Sequence, residues 1–375
     1  MHVRATLTTR SRFTFKFGKK VINYCKTYKY LGLTLNQFLD FGKMSNSFGD
    51  PANRALSAVI CKMIKNKGFP FTVFETLYNS CVTSITDYAH DVIGYHQYSE
   101  SANIHTKAIR SYLGVGRSAN LCALRYEMSW LEPKSRTQIR MMRFYYRMKE
   151  MCNSRLTKKI FLYDQHFTAS NPNLATWSHE VQSIISKHNL YYVIERFGSK
   201  SVLNLLHDSL HNNDMSVLRG ECLSSSKLRT YNTLFSPFIP HSSIISYTRL
   251  SMPFIQRKKL SQLRLGCLPI RVETERYTRP IIPADQRYCL MPECDNTTKN
   301  LSDTEKHVED EFHFLIICSH NRGLRKVLFD KIDIPNFQNF SDNDKFIYLL
   351  TTKHVAHIVS SFIIDAFDSR PSFMT

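Results

Sequence analysis

The 375-residue chain carries 50 Lys and Arg against 31 Asp and Glu, and its 43% hydrophobic content with 12% aromatic residues excludes a disordered polypeptide. No stretch approaches the ~18 apolar residues that a membrane crossing needs, and the amino terminus lacks the apolar core of a signal peptide. We therefore expect an intracellular protein, nuclear or cytoplasmic, that has no membrane partner and keeps its ten cysteines reduced.

The positive charge is concentrated in the first part of the chain. Residues 1–160 contain 26 Lys and Arg against 9 Asp and Glu, whereas residues 161–375 contain 24 against 22. A basic region beside a nearly neutral one favours a nucleic-acid partner, RNA or DNA, contacted through its backbone by the first region. The alternative is a basic surface that serves only solubility.

Residues 12–35 have the pattern of a small antiparallel β element. Phe13, Phe15 and Phe17 alternate with polar residues, which is the period of two expected for a strand. A second strand-like run covers Tyr28–Leu35. The sequence therefore predicts a small sheet at the start of the chain.

Helical periodicity follows. Asp50 and Pro51 have the residue types of an N-cap and a first helical position, and Gly68 is placed to end that helix. A second apolar helix is predicted over residues 71–85. The chain as a whole is predicted to be mostly α, with the small β element at its amino end.

A third predicted helix, over residues 100–113, is basic. It carries Lys107 and Arg110, and it leads into a glycine-containing loop that ends at Arg117. These three cations are candidate contacts to nucleic-acid phosphates.

The predicted helix over residues 133–153 has a continuous basic face. At about 100° per residue, four arginines fall within an arc of roughly 60°. They are Arg136, Arg140, Arg143 and Arg147. Because almost no acidic residue is interspersed, a phosphate backbone explains this row better than salt pairing does. The alternative is a solvated face whose ends pair locally with Glu132 and Glu150.

Three cysteines and one histidine near the carboxyl end have the spacing of a zinc site. Cys289 and Cys294 are separated by four residues, and so are His313 and Cys318. Three thiolates and one imidazole complete a tetrahedral shell, so we expect one structural zinc ion and no open catalytic position.

The surroundings of this predicted zinc site can also be anticipated. Residues five apart cannot share one face of an α-helix, so a turn must bring His313 and Cys318 together. An acceptor for the second ring nitrogen of the histidine is expected among Glu309, Asp310 and Glu311. The alternative is that Cys318 is an ordinary core residue and His313 lies on the surface, and His307 or His320 could also replace His313 as the fourth ligand.

Motifs for several kinds of catalysis are absent from the sequence. It has no Gly-rich phosphate loop, no serine nucleophile elbow and no zincin motif. It also has no adjacent Asp pair, which commonly supplies the two-metal centre of a polymerase. We therefore expect no small-molecule substrate and no catalytic metal site.

Several tracts, in this order along the chain, resemble the reverse transcriptases of LINE-type (non-LTR) retrotransposons. They are residues 28–35 (YKYLGLTL), 77–82 (LYNSCV), 108–115 (AIRSYLGV), 127–133 (EMSWLEP), 264–277 (RLGCLPIRVETERY) and 308–315 (VEDEFHFL) with Cys318. The chain departs from that family in its first cysteine pair, which the family usually spaces by two residues.

The resemblance implies a domain order and a function. Residues 1–40 would be an edge of the polymerase palm, 41–165 a basic helical thumb-like domain, 166–253 a connector and 254–375 a carboxyl-terminal domain with a Cys-Cys-His-Cys zinc knuckle. Tyr30, Leu31 and Gly32 would lie where the family grips the primer strand, the alternative being an ordinary strand and turn.

The same resemblance would place the fingers, most of the palm and the catalytic aspartates before Met1. We therefore expect a nucleic-acid-binding chain that does not polymerise by itself, with other parts of a retrotransposon ribonucleoprotein as further partners. The alternatives are a non-functional relic, and an active RNA-directed DNA polymerase or nuclease if the palm is supplied.

Overall fold

The computed structural model describes residues 1–4, 8–94, 99–235, 239–294 and 307–370. Helices account for 64% of these described residues, and the named strands form two small antiparallel pairs near the amino end. This confirms the prediction of a mostly α protein with a small amino-terminal β element.

The β element consists of two separate hairpins. Strand β1 (Phe15–Phe17) pairs with β2 (Lys20–Ile22), and β3 (Thr27–Tyr30) pairs with β4 (Leu33–Asn36). The predicted strand-like run over residues 28–35 is therefore broken by a tight turn. Leu31 and Gly32 form that turn, with φ values of 46° and 88°. Positive φ at both central positions matches the right-handed twist of the flanking strands.

The remaining named elements are helices. The α-helices in chain order are α1 (Phe41–Lys65), α2 (Phe71–Leu77), α3 (Ser84–Thr86), α4 (His90–Ile93), α5 (Ser99–Leu113), α6 (Leu121–Met128), α7 (Pro133–Lys149), α8 (Leu156–Ser170), α9 (Trp177–Lys187), α10 (Tyr191–Arg196), α11 (Ser199–Leu223), α12 (Arg229–Asn232), α13 (His241–Ile244), α14 (Phe254–Arg264), α15 (Arg271–Thr274), α16 (Arg322–Asp330), α17 (Asp342–Thr351) and α18 (Ala356–Asp368). Two π-helical segments cover Tyr78–Thr83 and His313–Ile317. Short 3₁₀ turns cover Ser226–Leu228, Thr233–Phe235, Ser246–Arg249, Ala284–Gln286, Phe337–Asn339 and Lys353–Val355.

The start of α1 differs from its prediction. The helix begins at Phe41, so Pro51 lies inside it and not at its first turn. A proline in a helix interior removes one backbone donor and weakens the helix. The side chains of Phe48, Ala52 and Leu56 are buried on both sides of this point, and their burial favours continuing the helix. The end of α1 follows the prediction, since Gly68 adopts a positive φ of 123° three residues after it.

The chain folds into two compact units whose segments interleave. Unit 1 comprises Met1–Ala58, Leu77–His105 and Leu131–Asp214, and unit 2 comprises Val59–Thr76, Thr106–Trp130 and Met215–Thr375. These limits are not those of the consecutive domains that the resemblance implies, and that domain order stays a prediction. Long-range packing of helices decides such limits, and local composition does not report it.

Unit 1 has a core in which α7 packs against α9 and α11. The buried members from these helices include Met141 and Met142 of α7, Ile184 of α9, and Val202 and Leu206 of α11. The last three lie in the region predicted as a connector, where Ser, Asn and His dilute the apolar pattern. That region therefore supplies part of a hydrophobic core.

Unit 2 contains two fully buried arginines. Arg264 pairs with Glu127 at 2.9 Å, and both side chains have no exposed surface. Arg257 donates from Nε to the Tyr112 carbonyl oxygen at 2.9 Å and stacks over the Tyr112 ring. Both arginines belong to α14, which also packs on α18. The Arg264 guanidinium donates from all three of its nitrogens inside the unit, and burial makes both guanidinium groups unavailable to an external anion.

Among the described residues, no single helix is long and apolar enough to cross a bilayer. One pair of segments, Asp342–Thr351 with Lys353–Asp368, reaches the required length and apolarity only jointly, across a bend of 83°.

Candidate functional site

The four predicted metal ligands lie together in unit 2. Cys289, Cys294, His313 and Cys318 are all buried, and their ligand atoms lie within 4.8 Å of one another. The Cys294 and Cys318 sulfurs are 3.5 Å apart, those of Cys289 and Cys318 are 4.0 Å apart, and the Cys294 sulfur lies 3.7 Å from Nε2 of His313. A tetrahedron with Zn–S bonds of 2.3 Å has S···S edges of about 3.8 Å. The cluster therefore has the size and ligand set that could hold a zinc ion.

Local backbone geometry explains how His313 and Cys318 meet. The segment His313–Ile317 is π-helical, and the Cys318 N–H donates to the His313 carbonyl oxygen at 2.7 Å. A π-type bond joins residues five apart, so these two residues are about one turn from each other. One π-helical turn therefore brings the two ligands together, where the sequence predicts a turn outside a helix. On the other side of the cluster, the Cys289 N–H donates to the carbonyl oxygen of His307 at 3.1 Å.

The thiols of the cluster influence each other's protonation. Hydrogen bonding from Cys289 and Cys318 lowers the pKa of Cys294, and the same bonding raises the pKa of Cys289. Burial would lower the pKa of His313, but hydrogen bonds with Cys294 and Cys318 outweigh it and raise that pKa to about 9. Cys294 is therefore the thiol of this group that loses its proton most readily, beside a protonated His313.

The sulfurs do not form a disulfide. A disulfide requires an S–S distance of about 2.05 Å, and the sulfurs of the cluster are 3.5 Å apart or more where a contact is seen. All ten cysteines are free thiols. Three thiols and one imidazole with no disulfide between them are typical of a structural zinc site.

The predicted partner for the second ring nitrogen of His313 is not formed among the described residues. The ring Nδ1 is buried and has no hydrogen-bond partner there. Asp310 instead accepts from the backbone N–H of His313 at 2.8 Å, Glu309 pairs with Arg370, and Glu311 accepts from Thr230. Glu309 and Glu311 therefore join this segment to distant parts of unit 2, and Asp310 holds the backbone of His313, which corrects the prediction.

The basic row on α7 is divided by an acidic residue from another part of unit 1. Asp87 is buried, and its Oδ2 lies 3.1 Å from Nε of Arg136 and 3.6 Å from Nε of Arg140. The Arg136 side chain is only 16% exposed. The expectation that salt pairing cannot explain the row is therefore wrong for these two arginines, because a partner 49 residues away in sequence is invisible to helical periodicity.

The other half of the row is exposed. Arg143 and Arg147 lie on the solvent side of α7, and within the described part of the chain neither forms an ion pair. Arg155, immediately before α8, is exposed in the same way and lies beside them around a cavity in unit 1. Arg155 gives no signal in the sequence pattern, because it follows the end of α7 and shares no periodicity with the row.

The three basic candidates of unit 2 lie near one turn. Lys107 and Arg117 are exposed, and Arg110 is partly buried with a hydrogen bond to the carbonyl oxygen of Ala119 at 3.4 Å. Burial and the like charge of Arg117 lower the pKa of Arg110. Two guanidinium groups that repel each other make a favourable place for an anion.

Tyr30, Leu31 and Gly32 lie at the tip of the second hairpin. Tyr30 ends β3, and the next two residues form the turn described above. The side chains of Tyr30 and Leu31 are 58% and 72% exposed. The structure brings these residues to an exposed turn, and their role as a primer grip stays a prediction.

Comparisons with protein-family models, curated proteins and solved structures found no match to this chain.

Proposed function

We propose that this chain binds the backbone of RNA or DNA as the carboxyl-terminal part of a LINE-type reverse transcriptase. The observation that carries the proposal is the set of exposed arginines without acidic partners among the described residues of unit 1: Arg143, Arg147 and Arg155. Like charges held close together destabilise a protein unless an anion compensates them, and a phosphate backbone does so.

Unit 2 supports the same proposal independently. Arg110 and Arg117 are close enough for their charges to interact, and Lys107 is exposed on the same helix as Arg110. The arginines that stabilise the fold, Arg257 and Arg264, are buried and do not contribute to this surface. Each unit by itself therefore offers exposed cations to a polyanion.

Binding is tested by fluorescence anisotropy with labelled RNA and DNA at several salt concentrations. The Arg143→Ala/Arg147→Ala double variant is expected to lower the slope of log K against log salt by about two units, one for each lost phosphate contact. Lys187→Ala removes an exposed charge on α9 and serves as the control for one lost charge. A double variant with an unchanged slope would remove α7 from the interface.

We further propose that the chain does not synthesise DNA by itself. It contains no adjacent Asp pair, and the retrotransposon assignment gives it a binding role beside a catalytic palm. Primer extension on an RNA template is expected to give no product, with an active reverse transcriptase as the positive control. Template-dependent product would contradict this part of the proposal.

We infer that the Cys3His cluster binds one structural zinc ion. All four positions are filled by protein ligands, so the ion would stabilise unit 2 and not act on a substrate. Elemental analysis of the purified protein is expected to give about one zinc per chain, and a chelator is expected to lower the stability of unit 2. Protein without metal, whose unfolding is indifferent to chelation, would leave the cysteines as core residues.

A further inference from the structure

Unit 1 contains a cavity that is a candidate site for a small anion. Its volume is about 480 Å³, within the range typical of small-molecule pockets. It lies between the carboxyl end of α7, the segment that leads into α8, and the amino end of α11. We call it the α7–α11 cavity; its lining includes Arg143, Arg147, Arg155, Tyr146 and Ser199.

The charge of this lining favours an anion. Three guanidinium groups and one carboxylate, that of Glu150, surround the α7–α11 cavity. No ion pair joins Glu150 to the three arginines in the part of the chain that the structure describes. The formal balance is therefore two positive charges around one largely open pocket.

Two further features point to a ligand. Ser199 is the first residue of the 25-residue helix α11, and the first turn of a helix offers backbone N–H groups and a partial positive charge to an anion. Tyr146 is 7% exposed, and its hydroxyl is buried without a hydrogen-bond partner among the described residues. Burial raises the pKa of Tyr146 to about 12, so this hydroxyl keeps its proton at neutral pH.

The charge match decides which phosphate the cavity fits. A phosphate monoester carries about −1.5 to −2 charges at pH 7, whereas each phosphodiester of a strand carries one. Met151 and Leu203 add an apolar surface to the lining, which suits an attached sugar or base. We propose that the α7–α11 cavity binds a phosphate monoester, supplied either by the phosphorylated end of a polynucleotide or by a free mononucleotide. The inference rests on the proposed function only for the choice between these two sources.

Cys152 provides a readout inside the cavity that does not depend on strand binding. It lines the α7–α11 cavity and is exposed, whereas Cys61, which is also exposed, lies on α1 and outside the cavity lining. The experiment measures alkylation of each cysteine by iodoacetamide, followed by peptide mass spectrometry, with AMP as the probe. AMP is expected to slow the alkylation of Cys152 and to leave that of Cys61 unchanged. Adenosine, which lacks the phosphate, is expected to protect neither.

Variants connect this protection to the arginines. Arg155→Ala is expected to raise the AMP concentration for half-maximal protection by about tenfold or more, since one charge-assisted hydrogen bond is lost. Lys187→Ala, on α9, removes an equal charge outside the cavity lining and is expected to leave that concentration unchanged. Circular dichroism verifies that both variants are folded. Equal effects of the two variants would show that general charge, and not the cavity, attracts AMP, and would overturn the proposal.

Oligonucleotides with a 5′-phosphate or a 5′-hydroxyl identify the source. Stronger protection of Cys152 by the phosphorylated strand supports the strand end as ligand, and protection by AMP alone supports a free mononucleotide. Equal protection by both strands would overturn the monoester proposal while leaving polynucleotide binding intact. Protection by AMP in a protein that binds no strand would uphold the cavity and refute the proposed function. Absence of protection of Cys152 by AMP and by either strand would overturn the cavity proposal.

Discussion

Replacing Arg136 by methionine separates the structural from the binding role of the α7 arginines. Methionine keeps much of the apolar stem but removes the guanidinium, so the buried Asp87 loses its 3.1 Å partner. Removing one member of a buried pair costs ~3–5 kcal/mol of unfolding free energy. Asp87 keeps Arg140 at 3.6 Å and the Thr86 hydroxyl at 2.9 Å, so we expect the lower end, about 3 kcal/mol.

Urea unfolding followed by circular dichroism measures this loss. The matched control is Arg143→Met on the same helix, where the side chain is exposed and the expected change is within ~0.5 kcal/mol. The salt slope of nucleic-acid binding is expected to show the opposite pattern, falling for Arg143→Met and unchanged for Arg136→Met. A loss below about 1 kcal/mol for Arg136→Met, or a reduced salt slope, would refute the assignment of Arg136 to Asp87.

Three further outcomes are expected. Burial alone would raise the pKa of Asp87, but the guanidinium groups of α7 outweigh burial and lower this pKa. Ionised Asp87 therefore stabilises the fold at pH values above the pKa of the unfolded chain. That stabilisation is lost as the pH falls below about 5. Asp87→Asn should accordingly flatten the acid-side decline in urea midpoint, and an unaltered decline would contradict this. Gly114→Ala should lower unfolding free energy by ~1–3 kcal/mol, because φ is +69° and an added Cβ would lie 2.8 Å from a lysine side chain of α14. Gly116→Ala in the same loop meets nothing within 4 Å and should be nearly neutral; equal losses would argue against the strain. Cys318→Ser should reduce the zinc content measured by elemental analysis, and Cys61→Ser should not. An unchanged zinc content in both variants would contradict the role of Cys318 as a metal ligand.

The Cys3His cluster shows what the spacing of ligands in the sequence can predict and what it cannot. Two Cys or His pairs, each spaced by four residues, were enough to predict a four-ligand site, and the structure places all four ligand atoms together. Spacing also required a turn between His313 and Cys318, because an α-helix separates residues five apart. The donors to the neighbouring carboxylates could not be predicted in this way, since Arg370 and Thr230 reach Glu309 and Glu311 from distant parts of unit 2.

The two ends of α7 show the opposite case. Periodicity correctly aligned four arginines on one face of the helix. It could not show that Asp87 forms ion pairs with two of them, Arg136 and Arg140. It also could not show that Arg155 and Ser199 meet the other two around one cavity.

The sequence alone therefore determined the mostly helical class, the ligand set of the cluster and the face on which the arginines lie, because each depends on residues within a few turns of one another. Only the tertiary structure decided which arginines form ion pairs inside the fold and which stay exposed for a ligand. That division depends on contacts between segments tens of residues apart, and pairing of charges over such distances leaves no periodic trace in the chain.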